Sequence, residues 1–233
     1  MSKITLSANL IMAFTHKTDL VFEELKATTK KSGRVYHTPD GDYPSVTTVL
    51  GYFKKEGIKA WRKRVGEKEA NRISGQASVR GTKVHQIAED YINNDEEYLK
   101  DHQPANIDMF ENQLKPVLDQ NLGLVYGVEV PLYSSYLKLA GRCDLVGEWN
   151  GRKAIIDFKT SRKLKKEEWI EDYFLQGACY SVMFEERTGI AVNDIVILIG
   201  VDGEAEPQLF VKRRDDYIDL AIHKVRQYEE IHS

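Results

Sequence analysis

Two aspartates and a lysine carry the chemistry most readable in this chain. In Leu137 to Lys159 two strand-like runs meet at Asn150-Gly151, and Asn-Gly between such runs is the strongest short hairpin signal. With those residues as the loop, Trp149 pairs with Arg152, and facing residues thereafter have numbers that sum to 301. Asp144 is then expected opposite Asp157 and Arg142 opposite Lys159, with all four on one face because side chains alternate with period two. Carboxylates so paired have Cβ atoms about 4.5 to 5.5 Å apart and repel. A hard divalent cation such as magnesium between them would relieve the repulsion and retain waters able to act as nucleophiles. Lys159 would point the same way, toward an attacking water or an anionic substrate. The alternative is a solvated strand with Lys159 and Arg142 as ion-pair partners. Against it, Ala154-Ile-Ile-Asp-Phe158 is apolar on both faces, as in a central strand, where a carboxylate must be coordinated or paired.

The elements that must position these groups belong to a chain of 233 residues, 42% hydrophobic and 30% charged, with a formal charge of −3. That composition excludes a disordered or fibrous polypeptide, and any nucleic-acid site must be a local basic patch. Lys54 to Lys83 holds ten basic residues against three acids, whereas Gln86 to Gln120 holds nine acids against two lysines. The first segment is suited to face phosphates and the second water, although solvated helix faces also carry such runs. Cys143 and Cys179 are too few for a disulfide scaffold, a four-thiolate zinc site or a four-cysteine iron–sulfur cluster, and a reducing interior is expected. Met1 to Phe14 shows an apolar stretch near Leu10 to Phe14 but no cationic leader and no run long enough to span a bilayer; a soluble, cytoplasmic protein without membrane contact is expected.

The pattern predicts an extended pair at Gly33 to Thr38 and around Tyr43, joined by the turn-forming Pro39-Asp40-Gly41. A helix follows, with Ser45 as N-cap and Val46, Val49, Leu50 and Phe53 as its apolar face. The basic segment reads as helix interrupted near Ser74-Gly75, followed by a helix from about Gly81 to Asn93 that sets His85 beside Glu89. Leu124 to Phe158 has strand periodicity, and Glu167 to Arg187 reads as a long helix ending at Gly189. Strands at Ile195 to Gly200 and Gln208 to Val211 precede a closing helix, Asp215 to Ile231. The expected class is α/β in one unit over 1–233, with an N-terminal hairpin and basic helical cover over 1–80 and a catalytic core over 81–233.

Gly141-Arg-Cys-Asp144 followed by Asp157-Phe-Lys-Thr160-Ser161 resembles the core pattern of the PD-(D/E)XK nuclease superfamily. Arg80-Gly-Thr-Lys-Val-His85 and Leu175-Gln-Gly-Ala-Cys-Tyr180 resemble flanking motifs of its RecB-like exonuclease branch. Tyr43-Pro-Ser-Val-Thr-Thr-Val-Leu50 is similar to the mitochondrial genome maintenance exonucleases and their phage relatives. The resemblance implies a restriction-endonuclease-like core, a mixed central sheet flanked by helices. It implies that Asp144, Asp157, His85 and the Phe158 carbonyl bind the divalent metal, expected to be magnesium, and that Lys159 acts with the two aspartates in catalysis; manganese should substitute because oxygen-rich octahedral sites accept it. Gln176 and Tyr180 would lie beside the lysine and the nucleic-acid backbone. Without the resemblance, His85 reads more readily as a structural or exposed histidine and Tyr180 as helix core packed with Leu175 and Val182. Glu89 reads as a solvated acid and Glu129 as an outer neighbour of the site.

Ser45 and Thr47 have hydroxyls suited to phosphate at a helix start or to capping; Thr160 and Ser161 pose the same choice, and Arg162, Lys163, Lys165 and Lys166 extend a basic rim. Tyr52, Phe53 and Trp61 interleave with Lys54, Lys55, Lys59, Arg62, Lys63 and Arg64, which joins phosphate neutralisation to stacking surfaces or, for Phe53 and Trp61, to core packing. The resemblance implies that this segment, with Arg80, forms a basic helical cover over the site and encloses single-stranded DNA. The expected function is a metal-dependent deoxyribonuclease, an exonuclease on single strands or DNA ends in repair or recombination. A structure-specific or restriction-type endonuclease, a non-catalytic nucleic-acid-binding module and an RNA-processing nuclease are its rivals.

Overall fold

The computed structural model describes residues 13–232; most of the apolar stretch expected at Leu10 to Phe14 lies outside them. Among the described residues, β1 (Lys26–Lys30), β2 (Gly33–Thr38) and β3 (Gly41–Pro44) form an antiparallel meander. β1 adds a strand to the expected hairpin. Helix α1 (Val46–Tyr52) begins at Ser45, whose side-chain oxygen accepts from the Thr48 N–H. Helix α2 (Lys55–Val65) meets α3 (Glu67–Ile92) at Gly66, where φ is 85°. The break expected near Ser74-Gly75 is therefore displaced to Gly66. Gly75 remains helical, since one glycine weakens a helix by only about 1 kcal/mol and leaves every hydrogen bond intact. The boundary expected at residue 80 falls inside the continuous α3.

The acidic segment folds as α4 (Pro104–Met109) and α5 (Lys115–Asn121), joined by a wide turn. The main sheet follows, with β4 (Leu122–Ser134), β5 (Leu139–Trp149) and β6 (Arg152–Ser161). Then come α6 (Glu171–Thr188), β7 (Asp194–Val201), β8 (Gln208–Arg213) and α7 (Ile218–His232). The five strands run in chain order across the sheet, all neighbours antiparallel except β6 and β7. Helix α6 supplies the crossover that a parallel pair requires.

Helices cover both faces. On one, Ile155, Ile195 and Ile197 pack with Leu175, Ala178 and Phe184 of α6 and Val49 of α1. On the other, Ile156, Phe158 and Val196 pack with Val84 and Ile87 of α3 and with Phe110, Leu114 and Leu118. The acidic segment thus buries an apolar face beneath the sheet, with Asp95, Glu96, Glu97, Asp101 and Asp108 exposed while Glu111 and Asp119 accept from Tyr98 and Tyr91. β6 is buried on both sides from Ala154 to Phe158, as its continuous apolar run requires. No described helix is long and apolar enough to cross a membrane.

Candidate active site

Asn150 and Gly151 turn the β5–β6 hairpin with φ of 50° and 76°, the doubly positive geometry that matches the twist of the strands. The ladder runs in the expected register from Trp149↔Arg152 to Leu145↔Ile156 and stops there, one pair short of the aspartates. Beyond it the strands fork. The Phe158 N–H, which a continued ladder would give to the β5 main chain, goes instead to Asp144 Oδ2 at 2.9 Å. β6 keeps its pairing with β7 through Ser161. The N–H and C=O of one extended residue point to the same edge, so the Phe158 carbonyl also looks into the fork.

The expected pairing of Arg142 with Lys159 does not form. Arg142 bonds to Glu24 and donates from Nη1 to the Glu129 carbonyl at 2.7 Å, because the fork separates the strands at that level. Lys159 ion-pairs with Asp157, and its ammonium lies 5.1 Å from the centre of the Tyr173 ring. Gln176, on α6, donates to Asp157 Oδ1 at 2.9 Å. Asp157 is 2% exposed. Burial, with the charge of Asp144 adding to it, pushes its carboxyl up to about 6 despite Lys159. Burial also opposes the charge on Lys159, but the carboxylates of Asp157 and Asp144 outweigh it and hold the ammonium above its ordinary value.

Two helices reach the fork from opposite faces of the sheet. From α3, the His85 ring packs edge-on to Phe158 with centroids 6.1 Å apart, and its Nδ1 lies 3.5 Å from Asp144 Oδ2. Glu129, on β4, is the residue the sequence undervalued. The register that pairs Val128 with Leu145 and Val130 with Cys143 leaves Glu129 facing Asp144. Its φ of 49° is a left-handed conformation that a glutamate in a strand adopts only when its surroundings impose it. Arg142, bonded to its carbonyl, supplies part of that constraint. Ligand atoms of His85, Glu129 and Asp144 all lie within 4.8 Å of one another. Burial, then Asp144 and Glu89, lift the Glu129 carboxyl to about 7. Glu89, one turn beyond His85, is raised chiefly by burial and then by Asp90.

This arrangement fits a divalent cation. Three carboxylates and an imidazole gather at the fork, and burial, reinforced by the carboxylates' mutual repulsion, lifts two of them well above their ordinary range. His85, Glu129 and Asp144 form the compact set, whereas Asp157 stands beside it in the grip of Lys159 and Gln176.

The other expected contacts divide by exposure. Tyr180 is 3% exposed in the core, with its hydroxyl so close to Gly141 that a Cβ there would stand 2.7 Å away. It packs the core and presents no surface for stacking, and the same closeness explains a glycine three residues before Asp144. Ser45 and Ser161 are buried with their hydroxyls engaged locally, Ser45 in the α1 cap and Ser161 donating to the Lys163 carbonyl at 2.6 Å. Neither is presented to a phosphate. Thr47 is exposed at the start of α1, Thr160 is half-buried beside Gly81, and Lys55 lies over the Tyr52 ring at 4.5 Å. Arg62 is paired with Glu67, and Arg80 with Asp202. Tyr52 and Phe53 pack against the main core, so of the three aromatics in this segment only Trp61 belongs to α2. Nothing in the sequence singles out Tyr173, although it lies one turn before Gln176 on the same helix. Cys143 and Cys179 are buried free thiols of the core.

No curated protein matches this chain closely enough to count as a relative. A family profile, that of the PD-(D/E)XK nuclease superfamily, matches residues 50–205, which span α3, the fork, Lys159 and α6. A carboxylate-rich fork on a mixed sheet with a lysine two residues beyond the buried aspartate, and a profile match over more than half of the sequence, have one reading in common: the chain belongs to the PD-(D/E)XK nuclease superfamily.

Proposed function

We propose that this protein is a metal-dependent exonuclease of the RecB-like branch, acting on single-stranded DNA or on DNA ends. The observation that carries the proposal is that one helix joins the fork to a basic arm. α3 holds His85 near its C-terminal end, and its N-terminal half pairs with α2 in a basic arm. At 1.5 Å per residue its 26 residues extend about 39 Å, enough to guide a flexible strand from the arm down to the fork. The arm's three acids are each paired within it, Glu56 with Lys59, Glu67 with Arg62 and Glu69 with Arg72. Lys63, Arg64, Lys68 and Lys83 have no acidic partner among the described residues and remain for phosphates.

His85, Glu129, Asp144, Asp157 and the Phe158 carbonyl would hold magnesium, with manganese substituting because the set mixes carboxylates and imidazole. Bound there, a divalent ion polarises a phosphate oxygen and acidifies a water. Lys159 stabilises negative charge that develops on the phosphate, and Tyr173 lies against its ammonium. Gln176 fixes the orientation of Asp157 by its hydrogen bond. A cytoplasmic setting, that of the host if the chain is phage-borne, suits its two buried thiols.

End-labelled single- and double-stranded substrates, incubated with and without magnesium, test this reading. Stepwise release from an end of the single strand is expected. Efficient cutting of covalently closed circles would replace the proposal with an endonuclease, and magnesium-independent binding without cleavage would replace it with a binding module.

A further inference from the structure

Beside the fork, a cavity of about 800 Å³ opens between the middle of α3 and the start of α4. Arg80, Arg162, Gln76, Gln103, Asn106 and Val79 are among its lining residues. Its distance from the chemistry is short in structural terms: Arg162 follows β6 three residues after Lys159, and a Cβ on Gly81, next to Arg80, would lie 3.8 Å from Thr160 Oγ1. The volume falls within the roughly 300 to 1,000 Å³ typical of ligand sites. Its chemistry is more telling than its size. Arg80 gives Nη1 to Asp202, while its Nε is buried without a hydrogen-bond partner. Arg162 has no ion pair among the described residues. The side-chain amides of Gln103 and Asn106 make no hydrogen bond there either, although Asn106 is only 8% exposed. Val79, by contrast, is an aliphatic residue left 64% exposed at the rim.

Guanidinium groups suit phosphate, amides suit the edges of unpaired bases, and an exposed aliphatic side chain suits a base face. We propose that this cavity is a subsite for the nucleotides flanking the scissile phosphodiester, holding a short stretch of single strand with its backbone on Arg80 and Arg162 and its bases toward Gln103, Asn106 and Val79. The proposal rests on the nuclease reading above and adds to it a residue set that recognises the substrate away from the reacting phosphate. A paired duplex would present neither splayed base edges nor a base face here.

The test compares two substrates in the full-length protein: a single-stranded oligonucleotide, which reaches the cavity, and thymidine 5′-(4-nitrophenyl phosphate), which supplies a phosphodiester without flanking nucleotides. In Arg162→Ala and in Val79→Trp, which fills the cavity, the ratio of kcat/KM for the oligonucleotide to that for the ester should fall about tenfold, through KM. A 5′-phosphorylated trinucleotide should bind the metal-free protein about tenfold more weakly in both variants by calorimetry. An unchanged ratio with unchanged trinucleotide binding overturns the subsite and leaves the nuclease reading intact. Wild-type protein that cleaves neither substrate with magnesium or manganese sinks the nuclease reading and takes the subsite with it.

Discussion

Ala154, Ile155 and Ile156, which lead to Asp157, are fully buried, whereas none of the eleven residues of α2 is. The fork and the arm are therefore held by different forces. Around the fork, cores on both faces of the sheet fix the backbone of β6, and the side chains of the fork inherit that rigidity. Within the arm, α2 is held by its contact with α3 and by the individually weak Arg62–Glu67 pair. Chemistry needs groups held to within a fraction of an ångström, while a track for a polyanion needs charge that can exchange partners. In the proposed function the two regions divide those requirements between them.

The sharpest break in this comparison comes at the fork. Asp157→Ala should reduce cleavage on the order of 10³-fold or more, with Lys159→Ala close behind, while single-strand binding by fluorescence anisotropy stays within a few-fold of wild type. Near-normal turnover in either variant would remove the fork from the chemistry. Next in size is Arg142→Ala. If its bond to the Glu129 carbonyl keeps that residue left-handed, manganese affinity measured by calorimetry should drop roughly 10- to 100-fold. The loss should not add to that of Glu129→Gln, whereas simple additivity would mean that the two act independently.

Stability separates the regions again. Gly141→Ala should destabilise the fold by about 1 to 3 kcal/mol in urea unfolding, because the new methyl meets the Tyr180 hydroxyl. Combined Lys63→Glu, Arg64→Glu and Lys68→Glu should leave the urea midpoint unchanged. That arm variant should instead weaken single-strand binding and flatten the slope of its salt dependence by about 0.7 for each phosphate the arm ceases to neutralise.

The last separation is in the pH dependence of stability. Folding raises Asp157 from 3.8 to about 6 and Glu129 from 4.5 to about 7, so between those limits the folded state holds more protons than the unfolded chain. The stability of the metal-free protein should fall as pH rises from about 4 to 7, with the whole loss present above 7. Glu129→Gln should flatten that slope, and manganese should raise the melting temperature most at the alkaline end. A metal-free melting temperature that climbs over this interval would contradict the crowding of carboxylates at the fork.

Local rules reach a long way at some positions and fail at others for identifiable reasons. Asn150-Gly151, the register as far as Leu145 and Ile156, the Ser45 cap and the left-handed Gly189 at the end of α6 are all legible because each depends on residues close in the chain. The same logic carries the ladder too far. The preference of Asp144 for the Phe158 amide, which ends the pairing, cannot be read from alternation. Nor does composition reveal that Gly66 rather than Gly75 breaks the basic helix.

The residue types at the fork, and the order in which the chain presents them, were set by the sequence alone. Turn chemistry and period-two alternation act over a few residues and leave little freedom. Only the tertiary structure decided that Glu129 turns left-handed to join His85 and Asp144, that Tyr180 is sealed into the core, and that α3 spans arm and site in one piece. Those outcomes depend on contacts between segments tens of residues apart, whose energies are decided by burial and by shared charge in a space no local pattern encodes.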